Sequence, residues 1–413
     1  MCTGRFFVLM EVEVGFSMSS AQFPARGQNK SIWFKCPYAN QCGACQLLKF
    51  PYQVQLCKKQ EYVESLLSEF CNVDRIIGME NPFHYRNKAH AVLSQDRSGC
   101  PVSGVYAEGT HHVVPVRHCL IESEAADRII QSIVQLLPSF SWRIYNEHTH
   151  KGLLRHVVVR TSNATGQIMV TLVATSADFP DQERFVDLLL SSHPEITTVV
   201  LNINPRITSA VLGTKEKVLH GPGYIEDILC GKRFRISSRS FYQVNARQTE
   251  ILYQTAIRQC RLSGCETLLD AYCGTGTIGI CASDHVKRIL GVEVNSQAIA
   301  DARINATING ISNTTFYTDD AGRFMTRLSA QKISPDVVIM DPPRAGSSKP
   351  FLDALLALHP NRIVYVSCNP QTLQRDLHML VNDDYLVQAI SPVDMFPGTQ
   401  HVECVVLMSR VKK

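Results

Sequence analysis

The C-terminal half of this sequence predicts an α/β domain built on a doubly wound, Rossmann-like sheet. Three observations carry that expectation. Arg362-Ile363-Val364-Tyr365-Val366 is an apolar run that stops at Ser367-Cys368-Asn369-Pro370. Val337-Val338-Ile339-Met340 stops at Asp341-Pro342-Pro343-Arg344. Thr267-Leu268-Leu269 runs into Asp270-Ala271-Tyr272-Cys273-Gly274-Thr275-Gly276. Doubly wound sheets gather their ligands at the carboxyl ends of the strands. A thiol placed there is a candidate nucleophile.

The chain of 413 residues is long enough for two or three domains. With 45% apolar and 19% charged residues it has the composition of a globular protein, which excludes a disordered chain. No run of about 18 apolar residues occurs, so no membrane-spanning helix is expected. Arg5 to Met10 faintly suggests a signal peptide, but Glu11 and Glu13 interrupt it too early. Fifteen cysteines without a secretory signal point to a reducing, cytoplasmic setting, with thiols kept for metal or catalysis.

Four regions follow in order. Residues 1–35 read as a short N-terminal arm or degenerate β module, with strand-like alternation around Val8 to Val14. Residues 36–125 hold a cysteine cluster and a helix from Tyr52 to Phe70, whose apolar positions fit one helical face only loosely. Residues 126–230 mix helix and strand. There, Val157 to Thr161 and Gln167 to Val173 flank Asn163-Ala164-Thr165-Gly166 as a hairpin. Thr197 to Ile203 reads as a further strand. Residues 231–413 begin with a basic segment and the helix Gln248 to Arg261, then form the α/β domain.

The net charge of +4 says little about partners. Its distribution says more. Gly231 to Thr249 contains Lys232, Arg233, Arg235, Arg239 and Arg247 and no acid, and Tyr85-Arg86-Asn87-Lys88 is a smaller basic patch. A solvated face explains either patch alone. Phe241 and Tyr242 within the first favour nucleic acid, because aromatic rings stack on unpaired bases.

The glycine turn has two readings. Gly274, Gly276 and Gly279 match a dinucleotide fingerprint, and they match an S-adenosylmethionine turn equally well. Glu293, ending Ile289-Leu290-Gly291-Val292, suits ribose hydroxyls in both. The glycine turn, Glu293, Asp319-Asp320 and Asp341-Pro342-Pro343-Arg344 in sheet order together favour methyl transfer over hydride transfer, because the last sets a carboxylate and a stiff wall where a planar base could dock. The bland alternative makes Glu293 and Asp341 helix caps.

Together these blocks resemble the bacterial RNA uracil-C5 methyltransferases, in their iron–sulfur-containing 23S rRNA branch. The matching motifs are Phe241-Tyr242-Gln243-Val244-Asn245, Asp270 to Gly276, Gly291-Val292-Glu293, Asp341 to Gly346, Ser367 to Asp376 and His401 to Val405. The likeness covers roughly residues 36–413. It implies that Cys368 is the thiolate that adds to carbon 6 of uracil and that Glu403 is the base that later removes the carbon 5 proton. It also implies that Gln243, Tyr272, Thr277, Glu293, Asp320 and Asp341 bind S-adenosyl-L-methionine. Cys273 and Cys404 are expected to pack, not react. The target base must leave its stack, so a loop of RNA is expected, met by Arg86, Lys88, Arg155, Arg239 and Phe241.

Cys36, Cys42 and Cys45 are closely spaced thiols that need a fourth partner. Four thiolates suit a 4Fe–4S cluster or one zinc ion. The resemblance selects the cluster and makes Cys119 the fourth ligand, ahead of Cys57, Cys71 and Cys100. Relatives with such a cluster mostly act on large-subunit ribosomal RNA, whereas those acting on the transfer RNA T-loop often lack it. The expectation is therefore a monomeric enzyme making 5-methyluridine in 23S rRNA, with tRNA as the alternative substrate. A catalytically silent RNA-binding protein is the rival of another class. Many relatives also begin with a β-barrel module, for which residues 1–35 are too short.

Overall fold

The structure, a computed structural model, describes residues 32, 34–381 and 385–411. The element expected around Val8 to Val14 lies outside the described residues. A one-turn helix α1 (Ala39–Cys42) precedes the longer α2 (Tyr52–Leu67). The buried positions of α2 are Tyr52, Gln55, Lys59, Val63 and Leu67, an unbroken three-to-four spacing. Two of them are polar, which is why the apolar periodicity read from the sequence was loose. Val54, expected on the apolar face, is exposed.

A seven-stranded mixed sheet follows. It contains β1 (Lys88–Gln95), β2 (Pro101–Tyr106), β3 (Val113–Pro115), β4 (Leu154–Thr161), β5 (Ile168–Ala174), β6 (Ile196–Ile203) and β7 (Lys215–His220). Its order is β3-β2-β1-β4-β5-β6-β7, with only β5 and β6 parallel. Lys88 pairs with Arg160, so strands from both sides of residue 125 share this sheet. Helices α3 (Glu124–Leu136) and α4 (Gln182–Ser192) pack on one face of it. The hairpin β8 (Tyr224–Leu229) and β9 (Lys232–Ser237) leads to α5 (Ala246–Cys260), capped by Asn245.

The second sheet has seven strands in the order β12-β11-β10-β13-β14-β16-β15. These are β10 (Thr267–Ala271), β11 (Arg288–Glu293), β12 (Thr314–Thr318), β13 (Val337–Met340), β14 (Arg362–Ser367), β15 (Tyr385–Val393) and β16 (Glu403–Arg410). The first five are parallel, and β16 runs antiparallel between β14 and β15. Alternate residues of each strand enter two different cores. Leu268, Ile339 and Val364 face one, and Leu269, Val338 and Ile363 the other. Burial on both faces is what makes these strands read as continuous apolar runs. The connecting helices are α6 (Thr277–Ala282), α7 (Ser296–Ile308), α8 (Ala321–Ala330), α9 (Lys349–Leu358) and α10 (Pro370–Leu380). Val63 and Leu67 of α2 join the second core, so an N-terminal helix covers a C-terminal sheet.

Candidate active site

Strand order reverses between β10 and β13, the position at which doubly wound sheets bind their ligands. The β10 end is shaped by its three glycines. Gly274 and Gly276 have φ of 53° and 79°, the left-handed region that glycine adopts freely. Gly279 donates its N–H to Asp270 Oδ2 at 2.9 Å, and a Cβ there would sit 3.0 Å from that oxygen. Tyr272 is left-handed too, with φ of 76°. That strain in a non-glycine residue is held by bonds from the Tyr272 and Cys273 amides to Val292 O at 3.1 and 3.0 Å. The Tyr272 ring lies 4.9 Å from Phe351. Thr277 opens α6 and shares a 3.1 Å hydrogen bond with the Tyr253 hydroxyl.

Glu293 ends β11, and its Oε1 accepts from Asn295 N at 2.9 Å. Asp320 caps α8, accepting from Arg323 N at 2.9 Å. The capping alternative named Glu293 and Asp341, but the N-caps of the helices that follow them are Asn295 for α7 and Ser348 for α9, and Glu293 only turns its own loop. Asp341 ends β13; burial, then the charge of Asp270, pushes its carboxyl up to about 7. Gln243 is held from behind, its carbonyl accepting from Asn87 Nδ2 at 3.1 Å.

Cys368 follows β14 in a turn that the sequence specifies residue by residue. Ser367 Oγ accepts from Asn369 N at 3.2 Å. Asn369 is extended, as a residue before proline must be, and caps α10 by accepting from Gln371 N. Pro370 then occupies the first helical position. The Thr-Leu-x-Arg-Asp tail binds this turn to the Asp-Pro-Pro-Arg loop. Thr372 Oγ1 donates to Arg344 O, Arg375 Nη2 to Ala345 O and Ser347 O, and Asp376 Oδ2 accepts from Ser347 N and the Tyr365 hydroxyl. The two strand-end motifs thus form one rigid unit.

In the antiparallel pair β14 and β16, Ser367 faces Cys404. Cys368 and Glu403 are the next residues along, so the register brings thiol and carboxyl together. Burial, then Glu403 and Asp341, raise the Cys368 thiol to about 11, while Arg344 pulls it down. Burial and Asp341 raise Glu403 to about 8, again opposed by Arg344. Like charges crowded in low dielectric disfavour ionisation. Cys404 is fully buried and its thiol is pushed far up, as a packing residue's would be. Sequence reasoning missed Asp270 and Asp376 as organisers of these turns. Their signal was an acid immediately before, or within, an apolar core segment.

Of the expected RNA-path residues, Arg239 and Phe241 are exposed, Phe241 at 73%. Arg155 is not. It is buried on β4 and donates to Asn204 O, Arg206 O and Glu147. Lys88 is half-buried beside Arg160 and Arg86, and burial lowers its ammonium to about 8.

Cys36, Cys42, Cys45 and Cys119 line one cavity of about 240 Å³, together with Arg86 and His90. Cys57, Cys71 and Cys100 do not line it. Arg86 Nε and His90 Nε2 are buried there without a described partner. Four thiols and two orphaned nitrogens suit a group that accepts hydrogen bonds at sulfur. Among the described residues, however, no group of three or more His, Cys, Asp or Glu side chains is disposed to hold a metal ion. The expected metal centre is thus present as a shared cavity, not as a formed coordination site.

By fold the molecule is a methyltransferase. Over 88% of its length it superposes, with a TM-score of 0.73 and 26% identity, on 85% of the Pyrococcus abyssi tRNA (uracil-54, C5)-methyltransferase, solved with S-adenosyl-L-homocysteine. More narrowly, the chain belongs to the tRNA (uracil-5-)-methyltransferase family, whose model matches residues 51–411. An uncharacterized RNA methyltransferase of Bacillus cereus (strain ATCC 10987 / NRS 248) is 40% identical over 92% of this chain and 83% of its own. Another from Staphylococcus aureus (strain MRSA252) is 39% identical over 91% and 83%. No described helix is long and apolar enough to cross a membrane.

Proposed function

We propose that the protein uses S-adenosyl-L-methionine to form 5-methyluridine in RNA through a covalent bond from Cys368 to the target ring. The observation that carries this is the nearness of Cys368 to Glu403, each one residue beyond the last β14–β16 pair, Ser367 with Cys404, on the same sheet as the β10–β13 strand-order reversal. S-adenosyl-L-methionine, when bound, supplies an electrophilic methyl group. Gln243, Tyr272, Thr277, Glu293, Asp320 and Asp341 would hold it. The glycine turn and the carboxylates of Glu293 and Asp341 fit an adenosine with free ribose hydroxyls and a cationic sulfur.

The chain's own residues divide the chemistry. Cys368, as thiolate, adds to carbon 6 and makes carbon 5 electron-rich enough to take the methyl group. Glu403 then takes the carbon 5 proton, the carbon 6–sulfur bond breaks, and the thiolate is restored. A thiol that titrates near about 11 in the free protein must be lowered on binding, and Arg344 is a cation already in reach. Arg239 and Phe241 meet the RNA strand.

Cys36, Cys42, Cys45 and Cys119 would hold a 4Fe–4S cluster in their shared cavity. That cavity favours 23S rRNA as the substrate, since cluster-bearing relatives mostly modify large-subunit RNA. The structural likeness to a tRNA enzyme favours the second reading, tRNA. Methylating both purified, unmodified RNAs with labelled cofactor, followed by nucleoside analysis, separates them. Label in 5-methyluridine of rRNA alone supports the first. Label in tRNA alone overturns it.

A further inference from the structure

The segment linking β15 to β16 runs from Asp394 to Val402 and delivers Glu403. Its polar groups are held largely from outside the sheet. Lys59 Nζ lies 2.6 Å from Asp394 Oδ1, with side-chain exposures of 1% and 0%. The same ammonium donates to Phe396 O at 3.1 Å. The Tyr52 hydroxyl donates to Asp394 Oδ2 at 2.8 Å. Gly398 N donates to Gln55 Oε1, and Leu47 N donates to Gly398 O, both at 2.9 Å. The Tyr85 hydroxyl donates to Pro397 O at 3.0 Å. A Cβ on Gly398, whose φ is 86°, would meet Leu48 at 3.1 Å, with Cys45 behind it at 3.8 Å. From the other side, Asn245 Nδ2 donates to Met395 O at 2.9 Å and Gln248 Nε2 to Asp394 O at 3.0 Å.

A buried ion pair is weak evidence for stability, because desolvation offsets its attraction. Here it joins residues 335 positions apart, at the one link that ends on Glu403. We propose that Tyr52, Gln55 and Lys59 of α2, with the cysteine turn behind them, form a clamp that places Glu403 for removal of the carbon 5 proton. The inference rests on the function proposed above. It makes these three positioning residues, acting through the Asp394–Val402 segment. It also gives the cysteine region a stake in the last chemical step, because Leu47 and Leu48 grip Gly398 two or three residues from Cys45.

A misplaced base has a signature that general loosening lacks. Addition and methyl transfer proceed, but the carbon 5 proton stays, so the methylated ring remains bonded to Cys368. The test uses RNA with ordinary uridine and labelled cofactor. The variants are the double substitution Lys59→Met with Asp394→Leu, which leaves no buried charge unpaired, and the single changes Gln55→Met and Tyr52→Phe, which keep the ion pair. Glu403→Gln is the reference for a missing base. The expected result is unchanged cofactor affinity, turnover reduced by up to about a hundredfold, and labelled protein–RNA adduct building toward the Glu403→Gln level. Turnover that falls without adduct above wild type, or turnover unchanged in the folded variants, overturns the clamp. Should the double variant not fold, the single changes decide. If wild type forms no adduct with 5-fluorouracil RNA, the underlying reaction is what fails.

Discussion

Replacing Glu403 by Gln should stabilise the folded protein, and the gain should grow with pH. The carboxyl lies at the first position of β16, 4% exposed. Burial, then the charge of Asp341, raise it from 4.5 to about 8. Unfolded, it ionises near 4.5. Between those two values the unfolded chain releases a proton that the folded chain keeps, so stability falls as pH rises. The contribution is whole below 4.5 and is lost on the way to about 8. For one site with these two values, the loss is about 1 kcal/mol at pH 5.5 and about 4 kcal/mol at pH 7.5. Glutamine has nearly the same shape and does not titrate. Its fixed differences in packing and hydrogen bonding cancel between the two pH values. The advantage of Glu403→Gln over wild type should therefore increase by about 3 kcal/mol from pH 5.5 to 7.5. Urea unfolding of both proteins at each pH, with equal slopes, measures it. A difference that stays constant or shrinks would refute the reasoning, because it would mean that Glu403 is already ionised in the folded protein. The same value makes Glu403 a base only once deprotonated, so release of the methylated ring, and with it turnover, should rise with pH through about 8.

Two other outcomes are expected. Anaerobically purified protein should carry iron and acid-labile sulfide, and Cys119→Ser should lose both; stoichiometric zinc without iron would contradict the cluster. Arg239→Glu should weaken RNA binding and flatten its salt dependence, by about 0.7 to 0.9 in log–log slope for one lost phosphate contact. Cofactor affinity should not move, and unchanged RNA binding would remove Arg239 from the RNA path.

What the sequence disclosed was local. The runs ending at Asp270, Asp341 and Cys368 are strands β10, β13 and β14, because burial on both faces writes a continuous apolar signal. The hairpin at Asn163 to Gly166 and the strand at Thr197 are β4–β5 and β6, each within a few residues of expectation. Three spaced thiols and one remote thiol reach a common cavity. What stayed hidden depends on partners far along the chain. Arg155 reads as a surface cation until β4 is placed mid-sheet, between β1 and β5, and its side chain finds carbonyls at residues 204 and 206. Lys59 reads as the solvated side of a helix, yet it occupies the buried stripe because Asp394 awaits it there. No window of local periodicity contains such a pair. The reversal that sets β16 between β14 and β15 is likewise a matter of pairing, and it is this reversal that brings Glu403 to Cys368.

The central claim is that sulfur of Cys368 bonds to the pyrimidine during the reaction. Substrate RNA carrying 5-fluorouracil tests it most directly, since fluorine at carbon 5 leaves no proton for Glu403 to remove. With cofactor present, wild type should form a denaturation-resistant complex whose nucleotide maps by mass spectrometry to Cys368, and Cys368→Ala should form none. Active, cofactor-loaded protein that methylates RNA yet gives no complex, or a complex mapped to another residue, would contradict the account.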